Sequence, residues 1–433
     1  MVNGSAPGSA RGPVRPAQSG GNATPALSVL PLSSVLRSYL MMSVSSSPKL
    51  LGVATTILRS MLSSDNALLN LKNPIMRRVL YETFYKQFCA GENAAQVAKT
   101  CQELREQGYG GVILEYALEV LADAEGNEKE DVAAWRHALM ESVRGAAPGD
   151  FVGLKWSGMG PAAMRRMKNN EEPTALMNEA MNAICQAAKE KDVALLPSAE
   201  ETWSLDGFNT WTMNMERLYN TNGRSVVYNT YQAYLKQTPA SIAKHMEMAE
   251  REGFTFGVKL VRGAYLGSDD RSKIHSTITD THNAYDSITS ALIHRHYNDV
   301  LKPATGSPGR AMGPISVMLA THNANSVRKA QALRIAQVSR NEELTPLCFA
   351  QLLGMADEVS CSLIASGKAC EHEEKALKER VVKCTAWGPM GECLNYLLRR
   401  AAENKDAASR THESRDAMRG EIWRRMKATV GLA

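Results

Sequence analysis

The stretch LNYLLRRAAEN, residues 394–404, holds strong helix formers and neither Gly nor Pro. In its middle stand two adjacent arginines, Arg399 and Arg400, among Leu and Ala. Tyr396 precedes Arg399 by three residues and Arg400 by four, and Glu403 follows them by four and three. In a helix these four side chains share one face. Two uses fit that face. A solvated helix would spend the charges on i,i+4 ion pairs, each worth little. A half-buried guanidinium pair would have one fork held by Glu403 and the other open to a carboxylate or phosphate.

Other polar residues stand at the ends of apolar runs. They are Lys155 in FVGLKWSGMG, Glu200 in VALLPSAEE and Gln232 in SVVYNTYQAYL. Lys259 and Arg262 lie in FTFGVKLVRGAYL, and Thr321, His322 and Asn323 end ISVMLATHN. Each alone has a bland explanation: Lys155 as a strand-end lysine in water, His322 as a satisfied structural histidine. A polar group at the end of nearly every run describes a large site built from many elements, the kind a big cofactor requires. Lys155, Lys259, Arg262, Arg399 and Arg400 make it cationic and suit it to an anion. No CxxC pair, zinc-ligand spacing, Ser-His-Asp order or Cys-His order stands out. Positioning and electrostatic groups without a nucleophile or metal fit a reaction whose chemistry belongs to a cofactor.

Eight apolar or β-branched runs must carry these residues: 111–119, 151–160, 193–201, 225–235, 254–266, 315–323, 347–357 and 381–389. Helix-length amphipathic stretches such as 174–191 and 239–252 separate most of them. Eight β/α units predict an α/β chain folded as a (β/α)8 barrel, with the opening helix closing the last unit. Residues 30–107, before the first run, are helical in pattern. An open doubly wound sheet is the alternative, and no GxGxxG follows the first run to support a dinucleotide site of that type. The turn-rich segment 302–314 reads as an exposed excursion.

The chain has 433 residues, enough for a barrel and an added segment. Its net charge of +5 is scattered, with no basic stripe interleaved with aromatics, which argues against nucleic acid. Eight cysteines without paired spacing read as free thiols of a reducing compartment. No window reaches about 18 consecutive apolar residues, so no transmembrane helix is expected. The first acidic residue is Asp65; Arg11, Arg15, Arg37, Lys49 and Arg59 precede it among many serines. That is the composition of a mitochondrial transit segment, with a disordered Gly/Pro/Ser tail as the plainer option. The expected organisation is a transit-like or disordered segment 1–29, a helical region 30–107 and a barrel 108–433, with LPLSSVLRSYLMM as the first helix.

FGVKLVRGAYL, YNTYQAYLK, VMLATHN, QLLGMAD and YLLRRAAEN, in the same chain, resemble the proline dehydrogenase family and its eukaryotic mitochondrial branch in particular. The resemblance runs from about residue 30 to 425. It implies a distorted (β/α)8 TIM barrel with a helical N-terminal region and non-covalent FAD. The implied reaction is oxidation of L-proline to Δ1-pyrroline-5-carboxylate by hydride transfer. Electrons would pass to ubiquinone, from a peripheral position on the matrix side of the mitochondrial inner membrane. Carried over by residue, it implies that Arg399 and Arg400 clamp the proline carboxylate and that Lys155 completes the clamp. Tyr396 and Leu352 would lie against the substrate. The implied FAD-binding set is Gln232, Lys259, Val261, Arg262, Gly263, Ala264, Thr321, His322, Asn323 and Glu403, the last also holding Arg400. Gly263 would let the backbone approach the cofactor. Tyr265 would lie near the site.

Two positions depart from the family pattern. Ser198 stands where an Asp is usual before Ala-Glu, and Cys384 where a Tyr is usual in the eighth run. A lost charge and an opened volume leave two alternatives: a hydroxyproline dehydrogenase, or a flavin-binding relative with impaired catalysis. A Schiff-base lyase using Lys155 or Lys259 is the rival from another reaction class.

Overall fold

The computed structural model describes residues 25–63, 66, 70–117, 126–303, 309–369, 377–403 and 408–431; the side chains of 369, 400–403 and 408–410 are not described. Most of the expected segment 1–29, and residues 304–308 of the expected excursion, lie outside that set.

Eight strands form one parallel sheet: β1 Val112–Tyr116, β2 Phe151–Leu154, β3 Ala194–Pro197, β4 Asn229–Gln232, β5 Phe256–Val261, β6 Ile315–Ala320, β7 Leu347–Leu352 and β8 Arg380–Trp387. The order β3-β2-β1-β8-β7-β6-β5-β4 brings the first strand against the last. Between β3 and β4 only a bridge, Leu195 to Val227, and two backbone bonds close the ring. Pro197 offers no N–H to a ladder at this seam. The Thr230 hydroxyl instead donates to the Pro197 carbonyl at 2.6 Å.

Every expected run coincides with a strand, β8 starting one residue early at Arg380, and the strands are shorter than the runs. The second run turns into a 3-10 segment at Trp156–Met159. The third stops at Pro197. The fifth stops at Val261, after which the Arg262 side chain engages Thr321 and Ser326 at the end of β6 and the start of the next helix. The residues trimmed from these runs are the ones that build the mouth.

Inward side chains Ile113, Phe151, Leu196, Tyr228, Met318, Cys348, Ala350 and Val382 fill the barrel. Strand side chains alternate, so the inward positions two residues further on form the next layer. On β1, β2 and β8 these are Glu115, Gly153 and Cys384, and Ser198 follows β3. This layer faces the C-terminal mouth, where barrels of this kind carry their chemistry.

Helices Glu128–Gly145, Ala175–Glu190, Leu205–Tyr219, Thr238–Glu252, Ile278–His294, Ala324–Ser339, Asp357–Ala369 and Met390–Glu403 follow the strands in turn. Several start at side-chain caps: Asn127, Thr174, Asn323, and Thr277 in a full capping box with Asp280. The first long helix is Leu32–Ser45, as LPLSSVLRSYLMM predicts. The helical preface braces the last barrel helix, Met390–Glu403. Tyr85 and Cys89 pack with Met390, Cys393, Leu394 and Leu398, and the Tyr85 hydroxyl donates to the Gly388 carbonyl at 2.9 Å.

Candidate active site

Helix Met390–Glu403 turns one apolar face, Met390, Cys393, Leu394 and Leu398, into the packing against the preface. Tyr396 lies off that face, half-buried, and its hydroxyl donates to Glu115 Oε2 at 3.0 Å. Arg399, one turn on, is also half-buried. Arg400 and Glu403 belong to the same helix, and their side chains lie outside the described residues.

Glu115 is the residue the sequence did not bring forward. Ser198 Oγ donates to its Oε1 at 3.1 Å, and Cys384 Sγ lies 3.7 Å from its Oε2. The two departures from the family pattern therefore meet at one carboxylate. Glu115 pairs in register with Gly153 on β2. A Cβ on Gly153 would stand 2.3 Å from Glu115 Cγ, so this glycine makes the room the carboxylate occupies. Burial alone would raise the Glu115 pKa. Lys259, the Tyr396 and Ser198 hydroxyls and Lys155 outweigh it and hold the group below its ordinary value. The opposite holds for Cys384, whose thiol burial and the adjacent carboxylate push well above its usual range. Glu115 stands in the middle of its run, GVILEYALE, rather than at the end, so the run-end signal did not single it out.

Lys155 follows β2, and its Nζ lies 3.3 Å from the Tyr265 hydroxyl, which itself donates to the Ala199 carbonyl at 2.7 Å. Tyr265 thereby ties the end of β5 to the loop after β3. Glu200 is buried nearby and accepts from Ser157 Oγ at 2.7 Å. Burial raises its pKa despite Lys155 and the Ser157 bonds. Gln232 spans two strand ends: its Nε2 donates to the Glu200 carbonyl at 3.1 Å, and its Oε1 accepts from the Ala264 N–H at 2.9 Å. Lys259 is nearly buried on β5, next to Val261, which pairs with Gln232. The backbone at Gly263 is crowded on one side: a Cβ there would meet the Tyr234 ring at 2.5 Å. The absence of a side chain is thus required by Tyr234 packing, a reason the sequence did not suggest.

Arg262 lies over the Tyr285 ring at 4.2 Å. Its guanidinium donates to Thr321 Oγ1, to Ser326 Oγ at 2.6 Å and to His282 Nδ1 at 3.3 Å. Asn323 caps helix Ala324–Ser339 by accepting from the Ser326 N–H at 3.0 Å. A fixed guanidinium and two hydroxyls thus surround the positive end of a 16-residue helix. His322 serves the backbone: its Nε2 accepts from the Leu352 N–H at 3.1 Å. That bond holds the end of β7, where Leu352 is 41% exposed despite being apolar.

Comparison with known proteins agrees with this architecture. The family model described as Proline dehydrogenase matches residues 97–413. A protein of Schizosaccharomyces pombe named probable proline dehydrogenase, mitochondrial, is 30% identical across 82% of this chain and 81% of its own length. Proline dehydrogenase 1, mitochondrial, of Caenorhabditis elegans is 30% identical across 85% of this chain and 57% of its own. Among solved structures, proline utilization A from Bdellovibrio bacteriovorus superposes with a TM-score of 0.60 at 16% identity, covering 84% of this chain and 38% of that one; this likeness speaks for the fold. The eight-stranded barrel and a family match over most of the sequence lead to one conclusion: the chain belongs to the proline dehydrogenase family.

Proposed function

We propose that this chain oxidises L-proline to Δ1-pyrroline-5-carboxylate with FAD as the cofactor and ubiquinone as the electron acceptor. The observation that supports it most is the Tyr396–Glu115 bond, which draws the arginine-bearing helix onto the barrel mouth. In this reading Arg399, Arg400 and Lys155 hold the proline carboxylate through bidentate and point-charge contacts. A fixed carboxylate fixes the ring. Tyr396 and the exposed Leu352 lie against that ring.

The residues fit FAD. A dinucleotide needs cations and donors for its pyrophosphate. Arg262 and the Thr321 hydroxyl at the start of helix Ala324–Ser339 form such a set, with Arg262 held in place by Ser326, whose own hydroxyl donates to Asp286. Gln232, Lys259, Val261, Gly263, Ala264, His322, Asn323 and Glu403 complete the proposed cofactor side. Bound flavin would accept the hydride that leaves proline C5. The residues of the chain bind, orient and supply charge, with Lys259 placed to stabilise negative charge developing on the cofactor. The amine must be neutral when the hydride leaves. Its proton departs to water at the open mouth, and no side chain is assigned as a base.

The relatives are named mitochondrial. We place this chain on the matrix side of the inner membrane, with 1–29 as the import segment, 30–107 as the helical region and 108–433 as the catalytic barrel. Among the described residues no helix is long and apolar enough to cross a membrane, so the proposed attachment is peripheral.

Ser198 and Cys384, both small and both turned to Glu115, favour a second reading in which a hydroxylated proline is the preferred substrate. Measuring kcat/KM for L-proline and 4-hydroxyproline with a soluble ubiquinone analogue tests the choice. Faster turnover of L-proline supports the first reading and faster turnover of 4-hydroxyproline the second. FAD-loaded protein that turns over neither would be a flavin-binding relative with impaired catalysis.

A further inference from the structure

We propose that Glu115 sets the charge the mouth accepts, selecting a zwitterionic cyclic amino acid over a plain carboxylic acid of the same shape. The inference rests on the proline reading above and assigns a residue to the recognition of the ring nitrogen.

A mouth built from Lys155, Lys259 and the arginine helix favours any carboxylate, with or without an amine. Glu115 places a negative charge among these cations. Its position is built rather than incidental. Gly153 is emptied for it, Ser198 and Tyr396 hold one oxygen each, and Cys384 lies against it. Glu115 is half-buried rather than fully enclosed. An ionised carboxylate has about four acceptor sites. The hydroxyls of Ser198 and Tyr396 use two, and the Cys384 thiol is a weak third. Capacity remains for an N–H of a substrate ammonium. Its lowered pKa keeps it charged and makes it a poor holder of the substrate proton, so it recruits the zwitterion and leaves deprotonation to water.

The Tyr396 bond gives Glu115 a second effect. The same carboxylate orients the ring that packs beside the substrate, so recognition of the amine and placement of Tyr396 depend on one group. Glu115 is in this sense a specificity and positioning residue, and no covalent step is asked of it.

The test compares two ligands by anaerobic calorimetric titration of the FAD-loaded protein after its flavin has been reduced with dithionite, so that neither ligand can react: L-proline, and cyclopentanecarboxylate, which has the ring and carboxylate without the nitrogen. In the unaltered protein L-proline is expected to bind at least about tenfold tighter. Equal or tighter binding of cyclopentanecarboxylate would overturn the inference, and this measurement needs no variant to fold. Glu115→Gln keeps the size and one acceptor and removes the charge. It is expected to weaken L-proline by about tenfold or more and to leave cyclopentanecarboxylate unchanged or tighter. Glu115→Asp, which keeps the charge, should retain most of the preference. Parallel loss of both ligands in Glu115→Gln would show a merely structural carboxylate and defeat the proposal while leaving the proline reading intact. An unaltered protein that binds no L-proline at all would defeat both.

Discussion

Tyr396, on the last barrel helix, donates its hydroxyl to Glu115, on the first strand, at 3.0 Å. The bond joins the two ends of the barrel sequence at the mouth. Tyr396→Phe keeps the ring and removes the bond. We expect a stability loss of about 1 kcal/mol and a rise in KM for L-proline of about fivefold. Thermal melts and steady-state kinetics measure both. Unchanged KM would mean that the hydroxyl does not place the ring.

Glu115 also gives a pH dependence with a definite sign. Burial opposes ionisation, but Lys259, Tyr396, Ser198 and Lys155 hold its folded-state pKa below the ordinary value. The unfolded chain therefore takes up this proton first as pH falls. The stabilisation is full above the unfolded carboxyl pKa and is lost as pH falls through the folded one. The stability advantage of the unaltered protein over Glu115→Gln should therefore shrink between about pH 6 and pH 3. Urea melts across that window check it, and a constant difference would contradict it.

Lys383, on β8, is 1% exposed and pairs with Asp357 Oδ1 at 2.7 Å. Its Nζ also donates to the Leu352 and Met355 carbonyls at 3.3 and 2.9 Å. It thus pins the end of β7, with Leu352, and the loop that follows it. Lys383→Met leaves a buried carboxylate unpaired and should cost about 3–5 kcal/mol. Lys383→Met with Asp357→Leu should recover part of that loss. A single-variant loss below about 1 kcal/mol in chemical denaturation would show that the pair is already well hydrated.

Arg262 tests the cofactor side. Its contacts to Thr321 and Ser326 hold a guanidinium at a helix start. Arg262→Ala should weaken FAD binding by roughly 2 kcal/mol, or about thirtyfold, in a flavin fluorescence titration. Unchanged affinity would place the pyrophosphate elsewhere.

Much of the barrel was legible because parallel strands buried on both faces read as apolar runs broken by amphipathic helices. Strand ends were not, because runs such as FTFGVKLVRGAYL stay apolar after the ladder stops at Val261. Lys155, Gln232, Arg262 and Thr321 could be read as a group from their places at run ends. Glu115 could not be ranked, since a single acid in VILEY fits an outward position equally well. Only the register with Gly153 settles that it points inward. Ser198 and Cys384 were visible as departures, but their common partner depends on β1 lying beside β8 and on the reach of Ser198 across β2. His322 read by itself as a structural histidine, and its Nε2 does accept from the Leu352 backbone.

Anaerobic addition of L-proline to the FAD-loaded protein, followed in the visible spectrum, tests the central claim most directly. Flavin bands that bleach within turnover time, and that persist in Arg399→Met at the same proline concentration, are the predicted result. Bands that remain unbleached by L-proline in the unaltered, FAD-loaded protein would contradict it.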